Sequence, residues 1–469
     1  MVIEKEKLYQ QYHKNATKIN ANEVKKLDRH MGVPGKIVSI VAIIILIFAI
    51  WQFTARGESL FLLGGMMFAF LSVKLFLSLL YRPCKRELMQ DYKVTALITC
   101  FNEDPASVVS ILENVLALEH PVHEILFLDD GSADTLAYEV AKSFAEDHRN
   151  DPNVPNFQIL RFAENRGKRE VMIDGFQQAT GDYIFLLDSD SEILPNALTE
   201  LLRPFEDGKT TSVVGNIGIL NKKENLLTRI QSISYFGAFQ LGRAAQSVTG
   251  DVTICSGAFS IHKKDFILQH LDEFRENKFL GINVSSGDDR SLTSIARMAG
   301  GKTRYQSTAY CETQAPSKWR KFQKQRRRWQ RSAYLCSLKS VKDMFPRKIW
   351  FLFWVFSEAY FWLIATVLFA VAVMTRGGLF LDWMDVILYF IIICYLQNIY
   401  YLLYNPIRFA LAPIFFFVYG ISLTITRVHA VVTIKNDGWG TRTAAKNARK
   451  EEKKRCSDFV KSKEKANVA

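Results

Sequence analysis

The sequence predicts an α/β domain, built on a mostly parallel sheet, inserted between transmembrane and interfacial α-helices. Three observations carry this. Apolar runs long enough to cross a bilayer lie at 37–55 and roughly 59–81, and more apolar runs fill about 349–374, 379–403 and 407–433. Between the two groups, short apolar strands alternate with helical segments, as parallel strands joined by crossover helices do. The ends of those strands are polar in a consistent way, gathering acids, glycines and a Lys-Arg pair at one rim.

Residues 1–36 are polar, so the run at 37–55 (IVSIVAIIILIFAIWQFTA) starts too late for an ordinary secretory signal and should remain as an anchor. The second run is interrupted only by Lys74. Basic flanks at Lys25–Lys36 and at Arg82-Pro83-Cys84-Lys85-Arg86 contrast with the short link Arg56-Gly57-Glu58, which puts both wide flanks and the inserted domain in the cytosol. The net charge of +13 admits a nucleic-acid surface. The basic residues crowd beside the membrane segments, however, as anionic headgroups favour, so the expected partners are membrane lipids and no nucleic acid. Seven scattered cysteines without C-x-x-C pairs fit a reducing compartment and argue against a disulfide framework or a zinc site.

Within the inserted domain, VTALIT (94–99) reads as a strand, 106–117 as a helix, EILFLD (124–129) as a strand and 134–147 as a helix. FQILRF (157–162), a helix at 169–179, the strand YIFLLD (183–188) and a strand at 211–219 follow. The strand ends read Cys100-Phe101-Asn102-Glu103, Asp129-Asp130-Gly131-Ser132, Asn165-Arg166-Gly167-Lys168-Arg169 and Asp188-Ser189-Asp190. Ligands of such sheets bind beyond the carboxyl ends of the strands. Asp188 and Asp190 are either a solvated acidic turn or a seat for Mg²⁺ or Mn²⁺, which take oxygen ligands and bridge carboxylates to phosphates. Carboxylates for a nucleoside, with cations and a metal for its phosphates, make the rim suit a nucleotide diphosphate. No P-loop or G-x-G-x-x-G pattern accompanies them.

Two later motifs add to this. Ser286-Gly287-Asp288-Asp289-Arg290 supplies either a general base or a helix N-cap. The segment P-S-K-W-R-K-F-Q-K-Q-R-R-R-W-Q-R-S-A-Y-L-C-S (316–337) places Trp319, Phe322, Trp329 and Ala333 on one side of a basic amphipathic helix, expected at the membrane surface.

D-D-G, D-S-D, G-D-D-R and Q-R-R-R-W, in this order between membrane helices, resemble the processive family 2 glycosyltransferases, the membrane synthases of cellulose, chitin and hyaluronan. Within that family the likeness is to hyaluronan synthases. It is carried by Tyr305-Gln306-Ser307-Thr308-Ala309 with Cys311, by Arg243-Ala244-Ala245-Gln246-Ser247, and by Ile434-Lys435-Asn436-Asp437-Gly438-Trp439-Gly440-Thr441-Arg442. Cys255-Ser256-Gly257-Ala258 departs from the usual C-x-G-P. The resemblance implies a GT-A-like fold and these domains: a cytosolic segment 1–36, two transmembrane helices in 37–81, a glycosyltransferase domain at 90–312, and interface helices at 313–346. Transmembrane or re-entrant helices at 347–433 and a basic cytosolic tail at 434–469 complete them.

Residue by residue, the resemblance implies that Asp129, Asp130, Lys168, Asp188, Arg328, Trp439 and Arg442 bind UDP. Asp188 and Asp190 would hold Mg²⁺ or Mn²⁺. Asp289 would be the catalytic base, and Gln325, Trp329, Asp288, Arg243 and Cys255 would bind the acceptor. The expected activity is polymerisation of UDP-GlcNAc and UDP-GlcA into hyaluronan at the plasma membrane, the nascent polysaccharide leaving through the protein's own helices. A single-substrate synthase of a chitin-like, cellulose-like or other capsular polymer is the alternative. Glu358, Asn398 and Asn405 are polar positions in apolar runs, facing either a cavity or neighbouring helices. Pro406, Pro413 and Gly420 break the last run, which either re-enters or crosses.

Overall fold

A computed structural model describes residues 31–55, 59–149, 156–276, 278–279, 282–283, 287–344, 349–357, 391–415 and 422–433, with isolated positions before residue 31. Glu358, Gly420 and the stretch Trp439–Arg442 lie outside the described residues.

Alternating burial builds the sheet. In β1 (Val94–Cys100), Val94, Ala96 and Ile98 enter one apolar cluster while Leu97 enters the opposite one. Ile125 and Phe127 of β2 (Glu124–Asp129) alternate in the same way with Leu126 and Leu128. Strands covered on both faces need unbroken apolar runs, which is what these sequences supply. Helices α3 (Pro105–Leu116) and α4 (Leu136–Asp147), which follow α1 (Val33–Ala55) and α2 (Ser59–Leu80) in the chain, contribute to the first cluster. Helix α5 (Lys168–Gln178) contributes to the second.

The remaining strands are β3 (Asn156–Arg161), β4 (Tyr183–Asp188), β5 (Ser191–Ile193), β6 (Thr210–Ile219), β7 (Phe259–Lys263), a small hairpin of β8 (Lys278–Phe279) and β9 (Ile282–Asn283), and β10 (Lys302–Thr313). The large sheet has the order β3-β2-β1-β4-β7-β6-β10-β5. It is mixed rather than mostly parallel. β7 runs antiparallel to both β4 and β6, and β5 antiparallel to β10. Phe259, the first residue of β7, pairs with Leu187 at the end of β4, and Lys263, the last, with Tyr183, so β7 starts at the rim and runs backwards.

Helices α6 (Leu226–Gly237) and α7 (Ala244–Thr249) flank a π-helical turn at Ala238–Arg243. Helix α8 (Asp288–Met298) precedes β10, and α9 (Trp319–Met344) carries the basic motif. Phe322 and Ala333 of α9 are buried while Trp319 and Trp329 stay exposed, so part of the stripe expected at the membrane surface packs on protein instead. Helix α10 (Ser422–Val432) lies along α9, and Arg331 Nη2 donates to Thr433 Oγ1 at 2.6 Å.

A third apolar cluster joins these layers to the terminal helices. Leu46 of α1, Phe68 and Leu75 of α2, Phe236 of α6, Tyr310 of β10 and Tyr401 pack in one core. At the end of α2, the Tyr81 hydroxyl donates to Tyr305 O and accepts from Ser307 N, both at 3.0 Å, where a register shift interrupts β10. Among the described residues no helix is long and apolar enough to cross a membrane. Asn398 is buried and donates to Cys394 O within its own helix at 2.9 Å. Asn405 caps the short helix Pro406–Phe409, its side chain accepting from Arg408 N at 3.0 Å.

Candidate active site

Two of the rim acids hold the loops beside them. Asp129 is fully buried and accepts from the Ser132 hydroxyl and from Arg161 Nε, the latter at 3.0 Å. Asp130 accepts from Arg166 N at 2.7 Å, Gly167 N at 2.9 Å and Asn165 Nδ2 at 3.0 Å. It thereby fixes the turn that leads into α5. Gly131, at φ +66°, lets this turn close: a Cβ there would stand 2.6 Å from the Glu164 carbonyl carbon.

The next two residues of α5 divide the work. Arg169 Nε meets Asp288 Oδ1 at 2.7 Å, with both side chains buried. Lys168 reaches instead to the Asp188 carboxylate at the end of β4. Burial pulls the Lys168 ammonium down, but Asp188, Asp288 and Asp289 more than offset this and shift it upward. Asp190, two residues on, accepts from Thr313 Oγ1 at 3.3 Å. Burial, with the Asp188 charge, pushes its carboxyl up to about 6.

Glu103, at the end of β1, is the rim acid to which sequence reasoning gave no role. Desolvation beside the cleft, then Asp190 and Asp188, push it up to about 7 even though its side chain is solvent-exposed. Its signal was its place, one more carboxylate at the end of a central strand.

Helix α8 starts at Asp288, and neither aspartate caps it: the N-cap is Gly287, at φ +80°. A Cβ at Gly287 would collide with the Ser332 side chain, so α8 and α9 meet closely here. Asp289 accepts from Arg290 N at 2.8 Å in the first turn, where the helix dipole favours a negative charge. Burial nevertheless pushes its carboxyl up, and Arg290 opposes this in part. A Cβ added to Gly257 would lie 3.8 Å from Asp289 Cβ and 3.9 Å from Lys168 Nζ, so these two groups flank one small space.

From α9, Arg328 joins the same charge cluster. Burial lowers its guanidinium, while Asp289, Asp188 and Asp288 raise it. The Gln325 side-chain oxygen is buried without a donor. Arg326 stacks over three rings, with its Cζ 4.6 Å from Trp329, 5.0 Å from Phe322 and 6.0 Å from Tyr235 on α6.

Lys168, Asp188, Asp190, Asp289 and Arg328 are thus electrostatic neighbours, and Asp129, Asp130 and Asp288 hold the elements around them. Arg243 lies to one side, its Nη1 donating to Gln246 Oε1 at 2.7 Å and to Thr253 Oγ1 at 2.9 Å. Cys255 has no accessible surface, and burial pushes its thiol up to about 12. Its backbone N–H donates to Thr293 Oγ1 of α8 at 2.8 Å.

Among the described residues no group of three His, Cys, Asp or Glu could cage a metal ion. Asp188 and Asp190 nonetheless fit a hard divalent cation. Both are oxygen donors, the charge of Asp188 still penalises ionisation of Asp190, and such ions complete their shell with phosphates.

The glycosyl transferase family 2 profile matches residues 95–271, from β1 through the helix after β7. A hyaluronan synthase of Streptococcus pyogenes serotype M1 is 36% identical over 383 residues, covering 81% of this chain and 90% of that protein. The chain belongs to the hyaluronan synthase family of the family 2 glycosyltransferases. It is a glycosyltransferase. Hyaluronan synthase 3 of Xenopus laevis is 29% identical over 385 residues, 74% of this chain and 68% of its own. A mannosyltransferase from Pyrobaculum calidifontis, solved with GDP-Man and Mn²⁺, superposes with a TM-score of 0.52 at 17% identity. That match spans 81% of this chain and 99% of that one, and it marks the hyaluronan synthase-family domain as a GT-A-like fold.

Proposed function

We propose that this chain is a processive, inverting membrane glycosyltransferase that polymerises UDP-GlcNAc and UDP-GlcA into hyaluronan. Its catalytic domain faces the cytosol of the plasma membrane, and its helices pass the product outward. The observation that carries the reading is the juxtaposition of Asp289 and Lys168 across the space at Gly257, with Asp188 bound to that lysine. A base and a diphosphate-neutralising cation bordering one small space suit attack on an anomeric carbon with loss of the diphosphate. The family membership supports it further.

In this reading Asp289 takes the proton from the acceptor hydroxyl as it attacks. One base suffices for inversion, because the other half of the reaction is loss of an already acidic diphosphate. Lys168 and Arg328 neutralise that diphosphate, the second through a planar fork of donors. Asp188 and Asp190 would hold Mg²⁺ or Mn²⁺, which when bound stabilises charge on the leaving phosphates. Asp129 and Asp130 shape the nucleotide side through the turn at 165–167. Gln325 and Trp329 receive the acceptor sugar, the indole offering a flat apolar face and the amide oxygen a hydrogen-bond acceptor.

The test is incorporation of labelled UDP-sugars by membranes containing the full chain, supplied singly and together. Polymer only when both are present is the expected result. Polymer from one UDP-sugar alone would replace this reading with a single-substrate synthase.

A further inference from the structure

Helices α8 and α9 touch through small residues at two places. A Cβ at Gly287 would stand 2.6 Å from Ser332 Cβ and would overlap the Ser332 hydroxyl. One turn further along both helices, Ser291 Oγ lies 3.6 Å from Cys336 Sγ. Ser291, Ser332 and Cys336 are all buried. Ser291 N donates to Gly287 O at 2.9 Å, so these two follow one another on one face of α8. Ser332 and Cys336, also four apart, do the same on α9. Both contacts advance in the same chain direction, so the two helices run parallel here.

One turn back along that face of α9 is Arg328. Parallel packing sets it ahead of the first turn of α8, the turn that carries Asp288 and Asp289. The charges agree: Asp289 is the leading charge that acts on the Arg328 guanidinium, before Asp188 and Asp288. A larger residue in the seam has no room to turn aside. The atoms that face each other are backbone and Cβ, not the far end of a flexible side chain. Added volume there parts the helices and draws Arg328 away from Asp289.

We propose that Ser332 is a positioning residue for the transfer reaction. Seated where Gly287 has no side chain, it fixes α9 against α8 so that Arg328 stands beside Asp289. Its small volume, rather than its hydroxyl, is the operative property. This rests on the roles proposed above for Asp289 and Arg328. It adds a residue outside the Q-R-R-R-W motif, one that acts on the motif through the helix they share.

The test uses membranes containing the full chain and reads transfer rate against pH, KM for the UDP-sugars, UDP affinity and thermal midpoint. Ser332→Val should lower kcat by about tenfold to a hundredfold, as a small misplacement of reacting groups does, with KM and UDP affinity within about threefold. Its rate should also rise at a higher pH than that of the wild type. Burial and Asp288 still oppose the Asp289 carboxylate, and Arg290 and Lys168 still favour it, but the Arg328 charge has moved off. Ser332→Thr adds a single methyl and should show both changes in smaller measure, so it carries the test if the valine variant fails to fold. The conservative Ser332→Ala should match the wild type in rate and pH profile. Variants that lose thermal stability but keep kcat and pH profile overturn the proposal, because the seam would then only hold the fold together. Loss of UDP binding in both larger variants overturns it too, since the seam would then support the nucleotide side. Ser332→Ala as slow as Ser332→Val makes the hydroxyl the operative group and is equally fatal. No transfer by the wild type from either UDP-sugar sinks the function proposed above, whereas unchanged kinetics in the variants of an active enzyme sink the seam alone.

Discussion

Arg169 and Asp288 form a buried ion pair, 2.7 Å from Nε to Oδ1, that locks the first turn of α5 to the first turn of α8. The residues beside that pair are the ones the cleft uses: Lys168 precedes Arg169, and Asp289 follows Asp288. One internal contact therefore sets the spacing of Lys168 and Asp289, the cation and the base proposed above. Removing either partner strands a buried charge, at a cost of about 3–5 kcal/mol. Asp288→Ala and Arg169→Ala should each lower the thermal midpoint sharply, and Arg169→Met with Asp288→Leu together should recover much of the loss. A double variant no more stable than the singles would show that the pair does not act as a unit.

Asp289→Asn keeps the shape of the base and removes its basicity. Transfer should fall by about 10²–10⁴-fold, the usual contribution of a positioned base, while UDP affinity stays within about threefold. In the wild type the rate should rise with pH as the upshifted Asp289 carboxyl ionises. Retained turnover in the Asn variant would remove Asp289 from its assigned role.

Chelation of divalent cations should abolish transfer and restore it on addition of Mn²⁺ or Mg²⁺. Asp190→Asn should raise the cation concentration for half-activity by tenfold or more, since one of about two protein ligands is lost. Thr313→Val, which removes only the 3.3 Å hydrogen bond to Asp190, should have a smaller effect in the same direction. Full activity in chelator would exclude the seat assigned to Asp188 and Asp190.

His262 sits in the sheet between the hydroxyls of Ser260, at 3.0 Å, and Ser212, at 2.8 Å. Burial holds its imidazole down near about 3, so the folded protein keeps it neutral while the unfolded chain protonates it below its ordinary value. Stability is complete above about pH 6.5 and is lost as the pH falls toward 3, with a limiting slope of about 1.4 kcal/mol per pH unit. Thermal midpoints across that window should fall less steeply for His262→Gln than for the wild type. Parallel slopes would count against this account.

The strands at 94–100, 124–129 and 183–188 were legible because full burial on both faces writes itself as unbroken apolar runs. The direction of β7 was not legible. Five residues, FSIHK, carry no mark of running backwards, and pairing direction depends on where distant chain enters the sheet. At the site, Asp188 and Asp190 could be read from the end of their strand. That Asp130 and Asp288 are braces could not, because the partners that engage them, Arg166 and Arg169, come from another loop and helix. Ser332 was missed for a similar reason: in sequence it is one small residue on an amphipathic helix, and only the fold sets it against Gly287.

The Tyr81 hydroxyl, wedged into the interrupted register of β10, makes helix and strand a single mechanical member. The far end of that strand is Thr313, which holds Asp190. If α2 meets a bilayer as proposed, a tilt that accommodates a thinner or thicker membrane would be delivered along β10 to the Asp190 carboxylate. Membrane thickness would then be a variable of the proposed chemistry, and reconstitution in lipids of graded chain length should change the cation demand of the enzyme before it changes its fold.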